Sequence, residues 1–185
     1  MARTVYYAAM SLDGYIADLD ENLEWLTRFD GPGYAGTAEH RGPMESSYPE
    51  FMRGVGALVM GSKTYEFILD EKWMYGELPT WVLTSRDLRP VDDATGLRFA
   101  SGSVADLHGE MIEAAAGKDL WLVGGGDVAT QFVAAGLLDV LQVTIVPVVL
   151  GAGLPLFAGP VPPMKLLDLT AYGNGMSELT YEIVP

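Results

Sequence analysis

The sequence predicts an α/β fold in which a mostly parallel sheet carries helices on both faces and ends in an antiparallel hairpin. Along most of the chain, short apolar runs alternate with helical patterns, which is typical of parallel strands joined by helices. Strands without intervening helices then follow, and Gly173-Asn174-Gly175 between the last two indicates a hairpin turn. No repeat or linker interrupts this pattern, so we expect one domain over residues 1–185.

The first half of the chain combines predicted strands with a long loop. Thr4–Met10 is β-branched and aromatic, which is typical of a buried strand. The segment from Asp18 to Met44 is long for a simple connection, so we expect a lid or a wall of a substrate site. Ser47 and Glu50 match the capping box that begins a helix. Two further apolar runs are predicted strands: Ala57–Met60 and Thr80–Thr84.

The second half is organised around a glycine-rich turn. Leu120–Val123 is apolar and too short for a helix, so it predicts a buried strand. Gly124–Gly126 leave the backbone bare, and Asp127 is predicted to be the N-cap of a helix over Val128–Ala135. Val140–Val149 alternates apolar and polar residues, which predicts a strand with one buried face. The hairpin is predicted from two more runs: Lys165–Tyr172 and Met176–Val184.

Composition excludes several classes of function. The net charge of −14 argues against nucleic-acid and anionic-membrane partners, which require a basic surface. The chain has no cysteine, so disulfides, thiolate catalysis and zinc–thiolate sites are excluded. His40 and His108 are far apart, and His108 falls on a helix face predicted to be exposed, so no metal site is expected. We find no signal-peptide pattern and no membrane-length apolar run, and we therefore expect a cytoplasmic protein.

Three predicted strand ends share a polar or glycine-rich character. They are Gly61-Ser62, Thr84-Ser85-Arg86 and Gly124-Gly125-Gly126-Asp127. In an open α/β sheet, ligands bind outside the carboxyl ends of the strands, so these segments would line one cleft. Hydroxyls, backbone N–H groups and the side chains of Lys63 and Arg86 suit phosphate groups. The pattern predicts a nucleotide-type ligand.

The glycine-rich turn does not fit a Rossmann dehydrogenase. Gly124, Gly126 and Ala129 match G-x-G-x-x-A. That fingerprint requires an acidic residue about 20 positions later, at the end of the next strand. Thr144, Ile145 and Val146 stand there instead, so we reject the Rossmann interpretation.

Four ordered segments resemble the dihydrofolate reductase superfamily: AAMSLDGYIA (8–17), MGSKTYE (60–66), VLTSR (82–86) and VGGG (123–126). SLDG (11–14), AAGLLD (134–139) and VPVVLGAGLPLF (146–157) are similar to its riboflavin-biosynthesis reductase branch, the RibD C-terminal domain family. The resemblance covers nearly the whole chain and is closest to standalone members. It implies a three-layer dihydrofolate reductase-like fold.

The same resemblance implies NADPH as the cofactor, with NADH not excluded. Residues 61–64 would bind the pyrophosphate, residues 84–86 the adenosine 2′-phosphate, and Gly124-Gly125, joined in the family by a cis peptide bond, would lie against the nicotinamide end. Ser62 stands where the family usually has arginine, which weakens the assignment of the 2′-phosphate site. Val123 replaces a usual glutamate, and residues 67–73 lack the usual Asp-x-Pro-x-Leu-x-x-Arg run, which argues against a phosphoribosyl substrate. The implied cofactor contacts are Ala9, Ile16, Gly61, Ser62, Lys63, Thr64, Thr84, Ser85, Arg86, Val123, Gly124, Gly125, Gly126, Asp127 and Val128.

Three carboxylates are candidates for the catalytic group. Dihydrofolate reductases place a carboxylate on the helix before the second strand; counting back from Met60 reaches Glu45, and Glu50 is its neighbour. Glu50 is alternatively the capping-box acid, Glu45 a solvated loop acid and Asp13 a turn residue. The candidates on the substrate side are Met10, Ser11, Trp25, Tyr48 and Thr144, of which Trp25 would stack on a flat ring or belong to the core.

These observations predict an NADPH-dependent reductase that transfers a hydride to a small pterin- or pyrimidine-like heterocycle. It would resemble 5-amino-6-(5-phosphoribosylamino)uracil reductase. The alternatives are a dihydrofolate reductase-type activity and a nucleotide-binding module with lost or altered catalysis. The apolar run Val143–Phe157 exceeds what one sheet edge should expose, so we expect a homodimer that buries this region.

Overall fold

The computed structural model describes residues 2–27, 47–69 and 73–184. Within these ranges the chain forms ten strands and five helices. The strands are β1 (Thr4–Ser11), β2 (Tyr15–Ala17), β3 (Val55–Gly61), β4 (Thr80–Leu83), β5 (Leu97–Ala100), β6 (Asp119–Gly124), β7 (Val140–Val146), β8 (Leu154–Pro155), β9 (Met164–Ala171) and β10 (Ser177–Ile183). The helices are α1 (Glu24–Thr27), α2 (Ser47–Gly54), α3 (Ser62–Ile68), α4 (Val104–Ala114) and α5 (Gly126–Ala134).

Eight of the strands form one sheet in the order β5-β4-β3-β6-β1-β7-β10-β9. The five pairings from β5 to β7 are parallel. β10 pairs antiparallel with both β7 and β9. The predicted mostly parallel sheet with a C-terminal antiparallel hairpin is confirmed. β2 and β8 form a separate two-stranded pair.

The helices cover both faces of the sheet, which gives three layers. On one face, Met111 of α4 and Phe132 of α5 share a buried cluster with Tyr6 of β1. On the other face, Tyr65 of α3 packs in a second cluster with Trp121 of β6. Successive residues of a strand point to opposite faces, and Tyr7 accordingly packs with the second cluster.

The N-terminus of α5 differs from the prediction. Helix α5 begins at Gly126, and its N-cap is Gly125, which makes no side-chain capping hydrogen bond. Asp127 therefore lies inside the first turn, and its prediction as the N-cap is wrong. Acidic residues are favoured at both positions, at the cap by side-chain capping and in the first turn by the helix dipole, so composition did not separate them.

Strand β7 is buried on both faces rather than one. It ends at Val146, and Thr144 is only 2% exposed. Val143 packs in the cluster on the α4–α5 side, and Thr144 on the other face bonds to Glu178, which also accepts from Ser47 of α2, so residues of both faces are covered.

The apolar run 143–157, on which the homodimer prediction was based, is partly covered. Val143, Val146 and Leu156 are buried, and of the large apolar side chains in this fully described run only Val149 is exposed, at 65%. The run therefore exposes little of the apolar surface on which the prediction relied. Exposed apolar side chains gather instead on the edge strand β9: Met164, Leu166, Leu167 and Leu169.

Candidate active site

The turns after β3 and β6 lie side by side at the carboxyl edge of the sheet. These strands are neighbours, with Met60 opposite Gly124. A Cβ added to Gly124 would lie 3.1 Å from Thr64 Oγ1, and one added to Gly61 would lie 3.1 Å from Val128 Cγ2. The Gly124–Gly125 peptide bond is cis, as the family resemblance implied. The two segments thus pack closely on each other because glycine lacks a side chain at positions 61 and 124.

Residues 14–17, the end of the first segment that resembles the family, pack close to the same turns. Leu156 N donates to Gly14 O at 2.9 Å, and β2 pairs with β8. A Cβ on Gly126 would collide with the carbonyl oxygen of Pro155. Residues 14–17, residues 154–156 and the start of α5 therefore pack together, which places Ile16 beside the glycine-rich turn.

Arg86 follows β4, the next strand outward. Its backbone N–H donates to Thr84 Oγ1 at 2.9 Å. Its guanidinium donates two hydrogen bonds to Glu66 of α3, from Nη1 to Oε1 at 2.9 Å and from Nη2 to Oε2 at 2.6 Å. The hydrogen bond from Arg86, followed by its charge, lowers the pKa of Glu66. Arg86 thus lies where the resemblance implied a phosphate contact, with its donors occupied by a carboxylate.

Lys63, on the first turn of α3, has the same kind of partner. Its ammonium group is paired with the carboxylate of Glu21. The hydrogen bond to Glu21 is the main cause that raises the pKa of Lys63. Ser62 is half-buried and Ser85 is exposed. The predicted phosphate-binding residues are therefore grouped around the ends of β3 and β4.

Ala9 and Thr144, predicted to contact cofactor and substrate respectively, lie on neighbouring strands. They face each other in the β1–β7 register. Met10 packs against the cluster on the α4–α5 side. Ser11 is fully buried, and its hydroxyl donates to Asp13 Oδ1 at 2.7 Å and accepts from Tyr15 N at 3.0 Å. The Ser11 hydroxyl is thus bound within the turn, which disagrees with its prediction as a substrate contact.

Asp13 is an acceptor that ties this turn to the loop after β7. Its carboxylate also accepts from Leu150 N at 3.1 Å and Gly151 N at 2.7 Å. The hydrogen bond from Ser11 is the largest cause that lowers the pKa of Asp13, and the two backbone N–H groups act in the same direction. Asp13 is therefore ionised at neutral pH. This corrects its prediction as a catalytic proton donor in favour of the turn interpretation.

The other predicted catalytic and ring-binding residues are placed as follows. Glu45, and most of the predicted loop Asp18 to Met44, lie outside the described residues. Glu50 is exposed on α2. Trp25 is 5% exposed in a cluster with Tyr172 and Met176, which supports its assignment to the core and not ring stacking.

A buried carboxylate that the sequence analysis missed lies on the α2 face of the sheet. Glu178 of β10 is 8% exposed. It accepts hydrogen bonds from Gln142 Nε2 at 3.0 Å, Thr144 Oγ1 at 3.2 Å and Ser47 Oγ at 3.3 Å. The Tyr7 hydroxyl lies 3.2 Å from Ser47 Oγ, and burial raises the pKa of Tyr7 to about 12. A strand acid between polar and apolar neighbours was the only sequence signal for this group.

This carboxylate faces a cavity of about 520 Å³ between α2 and the sheet, a volume typical of small-molecule sites. Residues from α2 and from five strands (β3, β6, β7, β9 and β10) line it, among them Ser47, Glu50, Phe51, Gln142, Tyr172 and Glu178. Aromatic rings continue beyond Phe51: Tyr48 stacks on Tyr7, and Trp121 packs edge-on against Phe51. Tyr48, predicted to contact substrate, therefore belongs to an aromatic group beside the cavity.

The fold and these turns define a dihydrofolate reductase-like α/β protein. The sequence profile of the RibD C-terminal domain matches residues 4–177, and the chain belongs to that family. It is 31% identical over 159 residues to the uncharacterized protein YwjB of Bacillus subtilis, covering 84% of this chain and 82% of that protein.

Two solved structures show the same fold. A putative riboflavin biosynthesis protein from Shewanella sp. PV-4 superposes with a TM-score of 0.79 at 26% identity, over 100% of both chains. The dihydrofolate reductase of Enterococcus faecalis, solved in complex with NADP(H) and RAB-propyl, superposes with a TM-score of 0.59 at 14% identity, over 97% of this chain and 95% of that one.

No described helix has the length and apolar character needed to cross a bilayer. No group of three or more histidine or acidic side chains in the described ranges is arranged to hold a metal ion. His108 corrects the expected exposed position: it is half-buried, and its Nε2 lies 2.8 Å from Thr4 Oγ1.

Proposed function

We propose that this protein is an NADPH-dependent reductase that acts on a small pterin- or pyrimidine-like heterocycle. The observation that carries the proposal is the packing of Thr64 against Gly124, with Arg86 following the neighbouring strand β4. Membership of the RibD C-terminal domain family supports a reductase. When bound, the nicotinamide would supply the hydride, to the carbon of a C=N or C=O bond.

The residues present fit such a cofactor. A Cβ on Gly124 would lie 3.1 Å and one on Gly125 3.7 Å from Thr64 Oγ1, so these glycines let the turn after β6 approach the first turn of α3 closely. Hydroxyl and cationic side chains suited to the phosphates surround this surface: Ser62, Lys63, Thr64, Thr84, Ser85 and Arg86. Asp127 and Val128 follow in the first turn of α5.

The protein's own contribution would be alignment and exclusion of water. Ile16 of β2 packs with the cluster that contains Val128 of α5, Val123 lies immediately before the glycine turn, and Ala9 lies opposite Thr144 in the β1–β7 register. Holding the nicotinamide carbon and the acceptor carbon at contact distance would lower the entropy cost of bringing the two reactants together. The substrate would then lie on the Thr144 side of Ala9.

Arg86→Ala tests the cofactor assignment. We expect NADPH affinity to fall by about tenfold or more and NADH affinity to stay unchanged, since NADPH alone carries the 2′-phosphate. Arg98→Ala is the matched control, because Arg98 forms a comparable surface pair with Glu110 at 3.0 Å. Equal NADPH affinity of Arg86→Ala and the unmodified protein would refute the 2′-phosphate assignment.

A panel of pterins and aminouracils tests the reaction. Oxidation of NADPH in the presence of one of them is expected. Tight NADPH binding without its oxidation across the panel would favour the nucleotide-binding module instead. Reduction of dihydrofolate would favour the dihydrofolate reductase-type alternative.

The proposed assembly is a homodimer, and the proposed location is the cytoplasm. The support for a dimer is the set of exposed apolar residues on β9, where a second copy would cover them. A monomer in light scattering at micromolar concentration would contradict it.

A further inference from the structure

The buried carboxylate of Glu178 has only neutral hydrogen-bond donors among its identified contacts. Ser47 and Thr144 contribute hydroxyls and Gln142 an amide. No ion pair in the described part of the chain involves Glu178. Acidic side chains are seldom this buried without a cation, because removing their charge from water is costly. The site therefore carries negative charge that a ligand can compensate.

The cavity in front of Glu178 is acidic as a whole. Arg3 also lines it, but its guanidinium donates to Asp119, with Nη2 at 2.6 Å from Oδ2. Among the described residues that line the cavity, Glu50, Asp119, Asp168 and Glu178 carry carboxylates and Arg3 a guanidinium. A phosphate group would be repelled here, whereas N–H donors would be attracted.

Register connects this cavity to the proposed cofactor surface. Glu178 is opposite Thr144 of β7, and Thr144 is opposite Ala9 of β1. Since neighbouring strands are about 4.8 Å apart, the backbone of Ala9 lies roughly 10 Å from that of Glu178. A one- or two-ring heterocycle is long enough to bridge from this carboxylate to a ring lying over Ala9.

We propose that Glu178 binds the substrate by accepting hydrogen bonds from the N–H groups of a planar amino-heterocycle that carries no phosphate at this end. The ring would lie between the α2 side chain Phe51 and the sheet residue Tyr172, which both line the cavity. Adjacent ring and exocyclic N–H groups match the two oxygens of a carboxylate. The placement of the ring next to a nicotinamide rests on the proposed function; the contact with Glu178 does not.

Thr144 and Gln142 act as positioning residues for this carboxylate. Thr144 Oγ1 donates to Oε2 and Gln142 Nε2 to Oε1, so the two oxygens are held from the sheet side. Ser47, which comes from α2, couples the carboxylate to the helix that covers the cavity. These contacts orient both oxygens before a ligand arrives, which lowers the entropy cost of binding.

Binding of simple pyrimidines tests the proposal without a known substrate. We expect 2,4-diaminopyrimidine to bind the intact protein at least about tenfold tighter than 2,4-dimethoxypyrimidine, which lacks N–H donors, and ribose 5-phosphate not to displace it. Glu178→Gln should reduce 2,4-diaminopyrimidine affinity by about tenfold or more. Glu182→Gln is the matched control, since Glu182 is an exposed acid of the same strand, 3.7 Å from Lys165.

A second variant keeps the test decisive if Glu178→Gln does not fold. Thr144→Val preserves shape and removes one donor, and we expect it to weaken 2,4-diaminopyrimidine binding several-fold while Glu182→Gln has no effect. Unchanged affinity of folded Glu178→Gln for 2,4-diaminopyrimidine would overturn the proposal. If Glu178→Gln does not fold, unchanged affinity of Thr144→Val would overturn it. Displacement by ribose 5-phosphate, or no binding of 2,4-diaminopyrimidine by the intact protein, would also overturn it.

NADPH titration of the same proteins separates this proposal from the proposed function. NADPH affinity should be unaffected by Glu178→Gln. Loss of 2,4-diaminopyrimidine binding with NADPH binding retained supports the role of Glu178. If the intact protein binds 2,4-diaminopyrimidine through Glu178 but does not bind NADPH, the proposed function fails and the carboxylate site stands.

Discussion

The guanidinium of Arg86 and the carboxylate of Glu66 form a two-point ion pair, with donor–acceptor distances of 2.9 and 2.6 Å. The pair joins the end of β4 to α3, the helix that follows β3. Both side chains are partly exposed, at 51% for Arg86 and 38% for Glu66. A phosphate arriving at Arg86 would compete with Glu66 for the same N–H donors, so the carboxylate sets how readily this arginine is released.

Glu66→Gln is expected to raise NADPH affinity by up to about fivefold and to leave NADH affinity unchanged, because an exposed ion pair contributes little and only NADPH carries the extra phosphate. Fluorescence titration with both cofactors measures the difference. Glu110→Gln is the control, since it removes the partner of Arg98 at the same kind of pair. A fall in NADPH affinity would show that Glu66 positions Arg86 for the phosphate and does not compete with it.

Gly126→Ala is expected to lower the free energy of unfolding by about 1–3 kcal/mol, because the new methyl group would collide with the Pro155 carbonyl and force backbone movement. Gly109→Ala in α4 is the matched control: a Cβ there meets nothing within 4 Å. It should stabilise the protein by up to about 1 kcal/mol through helix propensity. Urea denaturation measures both. Equal stability of the two variants would show that residues 154–156 do not pack on the start of α5.

Asp13→Asn is expected to lower the free energy of unfolding at about pH 7. It should also make that free energy fall less steeply as the pH is lowered into the acid range. The folded pKa of Asp13 lies below its ordinary value of 3.8. The folded state therefore binds fewer protons than the unfolded state around these pKa values. The stabilisation by the Asp13 carboxylate is complete above the ordinary pKa and disappears as the pH falls through the lowered pKa. Urea midpoints measured from about pH 7 to about pH 3 test it, with the exposed Asp93→Asn as control. A loss of turnover with unchanged midpoints would instead restore Asp13 to the catalytic group.

Local patterns predicted most of the scaffold. The Gly173-Asn174-Gly175 turn joins two paired strands, as its glycines predicted. Ser103, a typical capping residue, accepts a hydrogen bond from Asp106 N at the start of α4. Such features depend on residues a few positions apart, where turn and cap chemistry act directly. The position of Asp127 was wrong because a cap and a first turn favour the same acid.

Burial of individual residues was predicted less well. The alternation in β7 indicated one covered face, but the α4–α5 cluster covers one face and the side chains next to α2 cover the other. Trp25 lies in a core cluster with Met176. Exposed large apolar side chains were expected in the 143–157 run, but a group of them lies on β9 instead. Whether a face of a strand is covered depends on which other elements pack on it. The periodicity of residues within one strand carries no information about those elements.

The sequence by itself determined the α/β class, the order of the elements and the three strand-end turns that line the proposed cofactor surface, because adjacent residues set strand, turn and helix starts. Only the tertiary structure decided that Asp13 serves a turn, that Arg86 is paired with Glu66, and that Glu178 is a buried carboxylate. Ser47 and Glu178 are 131 positions apart in the chain and bond at 3.3 Å. Burial and charge pairing arise from contacts between distant segments, so they are settled when the sheet and its helices pack.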